Sequence, residues 1–103
     1  MKKPVLIEGQ EVSVSTITVG VLETIELSGK TGRKFNIALI AASVLAGGDA
    51  ARGSEDWVRS LNAFDPEGGD SPFHLLLDAA NEVNGFKRVA EKNAPAPEAP
   101  AAS

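Results

Sequence analysis

Strict alternation of apolar and polar positions occurs only near the start of the chain. Val5-Leu6-Ile7 is a short β-prone run, and Val12-Ser13-Val14-Ser15 alternates, with Thr16-Ile17 continuing it. Gly9-Gln10 between these runs supplies a turn, so the stretch from about Pro4 to Ile17 predicts a β-hairpin. A lone hairpin is marginal in water. Its apolar face (Val12 and Val14, with Thr16 beside them) is therefore expected to lie on helices that follow.

From Thr18 onward the period changes to that of a helix. Thr18 is an N-cap candidate; Val21, Leu22 and Ile25 recur at helical spacing with Glu23 and Glu26 opposite, and Ser28-Gly29 ends the segment. Lys30-Thr31-Gly32 reads as a loop. Phe35 to Ala46 predicts a second helix, apolar around nearly its whole circumference, stopped by Gly47-Gly48. Such a helix is either the centre of a core or has its second face covered by a partner. Ser54 caps the next helix, with Glu55 and Asp56 favourably placed in the first turn and Trp57, Val58, Leu61 and Phe64 as its apolar stripe. After the polar break from Asp65 to Asp70, Ser71 caps a last helix with Pro72 at its first position. There Phe73, Leu76, Leu77, Ala80 and Val83 form the expected buried stripe, and His74, Asp78, Asn81 and Gly85 lie opposite. Asn84-Gly85 suits a left-handed C-terminal cap, after which Phe86 folds back onto the helix or the helix resumes through Val89.

These elements predict a mainly α fold: a small bundle of about four short helices with an N-terminal β-hairpin. One domain is expected over residues 1–92, and the segment NAPAPEAPAAS at 93–103 is expected to be a disordered Pro/Ala-rich tail. The chain has 103 residues, room for a single domain of modest size. A core so small has marginal stability, which leaves a partner or homo-oligomer formation as ways of adding to it.

Net charge is −4, and the ten Lys and Arg are scattered apart from the Lys2-Lys3 and Lys87-Arg88 pairs. With no basic face and no Tyr, nucleic-acid binding is disfavoured. The chain contains no cysteine, which excludes a disulfide, a thiolate nucleophile and a Cys-based metal site. The apolar run after Lys2-Lys3 is too short for a signal peptide, and Ile37 to Ala46 is too short to span a bilayer. No membrane association is expected, and a cytosolic location fits.

Candidate chemistry is sparse. His74, the single histidine, precedes Asp78 by one helical turn, a spacing that orients an imidazole for general-base work. No serine is placed by this reading to act as nucleophile, and the bland alternative is a polar residue on a solvated face. Asp65, Glu67 and Asp70 lack the spacing of a Ca²⁺ loop. Gly29-Lys30-Thr31-Gly32 lacks the upstream glycine of a phosphate loop. No catalytic residue, cofactor or metal is therefore expected. Trp57 is either a core anchor beside Leu61 and Phe64 or an interface hot spot. Recognition of another protein remains as the expected role, with Trp57, Leu61, Phe64, Phe73 and Leu77 as contact candidates, together with any face of the second helix that the core leaves open.

Three short motifs support that expectation. VLIEGQEV at Val5 to Val12, Ile17-Thr18-Val19-Gly20 at a helix start, and Glu82-Val83-Asn84-Gly85-Phe86 at a helix end follow one another in order. This order resembles the small tail assembly chaperones of long-tailed bacteriophages. The segment Gly47 to Asp70 carries none of that group's pattern, and the acidic or FF-type ending of some members is absent. The resemblance implies a non-enzymatic protein of the bacterial host cytoplasm. Such a protein binds the tape-measure protein, keeps its long apolar helices soluble and recruits tail-tube subunits. The alternative from another class is a structural phage subunit, a minor tail or head–tail joining protein retained in the virion, with the apolar second helix serving ring formation.

Overall fold

The structure is a computed structural model that describes residues 1–65 and 67–86. Pro66, the tail expected at 93–103, residues 87–92 of the expected domain and any helical continuation through Val89 lie outside the described residues. Within them the chain forms β1 (Lys2–Ile7), β2 (Gln10–Ser15), α1 (Val19–Leu27), α2 (Gly32–Ala46), α3 (Glu55–Arg59) and α4 (Pro72–Val83). It is the mostly helical small domain with an N-terminal hairpin that the hydrophobic pattern predicts.

The hairpin runs two residues earlier than expected at both ends. Ile7 pairs with Gln10, so the turn is Glu8-Gly9 and not Gly9-Gln10. Both turn residues have positive φ (50° and 81°), the twist that a two-residue hairpin loop requires. The register puts Val5 opposite Val12 and Lys3 opposite Val14. Val5, Ile7, Val12 and Val14 are buried on one face, while Leu6 is exposed on the other. The core face is thus supplied by both strands.

That face packs on α2 and α4, and α2 also meets α3 and α1. Ile37, Ala38, Leu39, Ile40, Ala41, Ser43 and Val44 of α2 are all buried. An all-round apolar helix is satisfied here as the centre of the core. It also starts a turn earlier than expected: Gly32, Arg33 and Lys34 are helical, and the Phe35 N–H bonds the Thr31 carbonyl at 3.4 Å. Two glycines let other segments approach its C-terminal end. A Cβ at Gly47 would lie 2.3 Å from the Ser13 carbonyl oxygen, and one at Gly53 would lie 2.7 Å from Leu45 Cα.

Three of the four described helices carry the side-chain cap expected from sequence: Thr18, Ser54 and Ser71 accept from Val21, Trp57 and His74 N–H. At the C-terminus of α4, Gly85 has φ 75°. Phe86 N–H bonds Asn81 O at 2.8 Å and Gly85 N–H bonds Glu82 O at 3.2 Å, the paired bonds of a left-handed cap. Asn84 ties this end to the rest of the molecule. Its Oδ1 accepts from Ile17 N–H at 2.8 Å, and its Nδ2 donates to Ser43 Oγ at 3.0 Å and Ala80 O at 2.8 Å. The hairpin end, the central helix and α4 thus meet at one side chain.

α3 departs most from expectation. It has five residues, so Leu61 and Phe64 are not on a helical stripe. Ser60 N–H bonds Trp57 O at 3.0 Å and Leu61 N–H bonds Val58 O at 3.1 Å, while Ser60 Oγ donates to Trp57 O at 2.5 Å. These tight three-residue closures end the helix. On α4, Leu76, Ala79, Ala80 and Val83 are buried. Phe73 and Leu77, expected in the same stripe, are only half-buried at its edge.

Candidate protein-binding groove

The early end of α3 shapes the surface. After Ser60 the chain leaves the helix and runs past α2 and the first turns of α4, enclosing a groove of about 680 Å³. The buried side chains of Ile37 and Val58 lie at its base. Leu61, Ala63, Phe64, Phe73 and Leu77 add apolar lining; Gly32, Arg33, Asn36, Arg59 and His74 complete it.

Four of the five expected contact residues, Leu61, Phe64, Phe73 and Leu77, therefore meet in one depression although they come from two segments. Leu61, Phe73 and Leu77 are half-buried against the core. Phe64 is 83% exposed, held out by the loop. Trp57 is elsewhere: half-buried against the core, it lines a smaller cleft with Ile7, Gln10, Val12, Arg52 and Leu61 beside the hairpin turn. There Arg52 bonds Asp49 at 2.9 Å and also Gln10.

Arg33 and Asn36 of the lining were not singled out from sequence. The signal was present: Asn36 and Ile37 follow Arg33 by three and four residues, the spacing of one helical face. It was hidden because Lys30-Thr31-Gly32 reads as a loop that delays the helix start.

His74 is exposed, as the bland alternative has it, and its ring is positioned by Ser71 and not by Asp78. Its Nδ1 lies 2.7 Å from Ser71 Oγ, which also accepts the His74 backbone N–H at 3.1 Å. A serine does approach the histidine, through the N-cap of α4. Ser71 is nevertheless 2% exposed, and its oxygen is engaged as the helix cap, so a substrate carbonyl has no access to it. The ring of His74 meets Phe73 edge-on, with centroids 5.5 Å apart.

In the acidic break, Asp65 closes its own loop by accepting from Glu67 and Gly69 N–H at 3.0 and 3.1 Å. Among the described residues no cluster of three or more His, Cys, Asp or Glu is arranged to hold a metal ion. No helix among them is long and apolar enough to cross a membrane.

Compared with known proteins, the chain matches no family model, no curated protein and no solved structure.

Proposed function

We propose that this chain is a non-enzymatic tail assembly chaperone of a long-tailed bacteriophage, acting in the host cytoplasm. It binds apolar helices of the tape-measure protein in the groove between α2, the loop after α3, and α4, and it recruits tail-tube subunits. The observation that carries the reading is the groove itself: apolar residues from three segments converge in an open depression, with Phe64 left in water at its lip. What sets Phe64 apart from other exposed apolar residues is that it adjoins Leu61, Ala63, Phe73 and Leu77 in one depression, and contiguous apolar surface of this kind marks contact sites. An amphipathic helix laid into such a groove by residues spaced three and four apart would cover it. The net charge of −4 would keep the loaded complex soluble.

The rival role, a subunit retained in the virion, drew on a free apolar face of the second helix. Most of that face is occupied by the hairpin, α1, α3 and α4, so the groove is the better-supported contact surface.

Co-expression with the tape-measure protein of the same genome tests the proposal. The expected result is a soluble tape-measure protein that co-purifies with this chain, and purified virions that lack the chain. An insoluble tape-measure protein beside a well-folded chain, with the chain present in virions at a defined copy number, would favour the structural subunit.

A further inference from the structure

Charge is distributed unevenly around the groove. The chain carries net −4, yet the groove lining contains two arginines and a histidine and no carboxylate. Arg59 is held on the α3 side by Glu55 at 3.2 Å and Asp56 at 3.9 Å. Arg33 is exposed and has no ion-pair partner among the described residues. Gly32 and Arg33 also bring the first turn of α2 to the lining. Its N-cap Thr31 makes no side-chain cap bond, which adds unmet backbone N–H groups to the positive potential there.

We infer, building on the proposed groove function, that the groove selects a partner helix whose apolar stripe is flanked by Glu or Asp. Apolar contact supplies the affinity, and a carboxylate facing Arg33 sets the choice and register. Whole-molecule charge favours the opposite choice: a chain of net −4 attracts a cationic helix at long range. A preference for the anionic helix therefore reports the local lining.

The test uses the full chain and two labelled synthetic helices of about 20 residues. They have identical leucine stripes and are flanked by Glu in one and Lys in the other. Fluorescence anisotropy at low salt is expected to show the Glu-flanked helix binding about ten-fold more tightly. The gap should shrink at high salt and close in Arg33→Glu, a change that breaks no ion pair in the fold. Equal binding, or preference for the Lys-flanked helix, overturns the charge selection and leaves the groove function standing. Failure of both helices to bind, or binding unaltered in Phe64→Ala, overturns both readings. Self-association that competes with the peptide and is lost in Arg33→Glu would assign the groove to a second copy. Amide signals of residues 87–103 that shift when peptide binds would assign it to the chain's own C-terminal segment. Either of these results also overturns the inference.

Discussion

Glu8 is the one non-glycine residue with positive φ among the described residues. A side chain of this kind is strained there, whereas asparagine tolerates the left-handed region. Glu8→Asn is expected to raise stability by about 0.5 kcal/mol, read as a higher urea midpoint at unchanged slope. Asn84 presents the opposite case. Replacing it with alanine leaves the Ile17 N–H and the fully buried Ser43 hydroxyl without the amide that bridges them. Orphaning such groups costs about 2 kcal/mol. Ser43→Ala is milder, because the Asn84 amide keeps its bond to Ala80 O; the same denaturation series should show a loss below about 1 kcal/mol. Asn84-Gly85 thus has a complete structural account, in which glycine supplies the left-handed turn and asparagine the bridge.

Between elements, the end of α2 passes close to β2 at Gly47. A methyl group on Gly47 would collide with the Ser13 carbonyl, which belongs to the strand backbone and cannot rotate away. Gly47→Ala is expected to destabilise the fold by about 3 kcal/mol, seen as a fall in thermal midpoint. This is larger than the gain that alanine ordinarily brings by restricting the unfolded chain. α1 sits at the other extreme. Ile25 is its single buried residue, while Val19 and Leu27 remain in water. Its nine residues are too few for independent stability, so its order depends on the contact with α2.

For the whole molecule, the decisive separation is between apolar residues that hold the fold and those available to a partner. Leu76 is fully buried at the hairpin–helix core and Phe64 is mostly in water. Leu76→Ala is expected to cost about 2–5 kcal/mol and to impair everything that needs the fold. Phe64→Ala should leave stability within about 0.5 kcal/mol while reducing tape-measure capture in the co-expression assay. Normal capture by a folded Phe64→Ala chain would show that the groove lip is not the contact surface. Arg33 belongs to this scale too, since it reaches the groove only because α2 begins at Gly32 and the loop after α3 passes close by.

Local chemistry was enough to determine the order of elements: Thr18, Ser54 and Ser71 as caps, Pro72 as a first helical residue, Gly85 as a stop, and alternation at Val12 and Val14. Each depends on backbone geometry over three or four residues, which adjacent side chains control. The contact candidates Leu61, Phe64, Phe73 and Leu77 were also visible as apolar residues, but not their division of labour. A helical period cannot distinguish a side chain facing the core from one at the edge of a groove, because both occupy the apolar side of a helix. Joining Asn84 to Ile17 and Ser43, placing Trp57 in a cleft apart from the other contact candidates, and bringing Arg33 beside the groove were decided by tertiary structure. These outcomes depend on which segments compete for the same buried volume and the same hydrogen bonds, and that competition is settled only when distant parts of the chain meet.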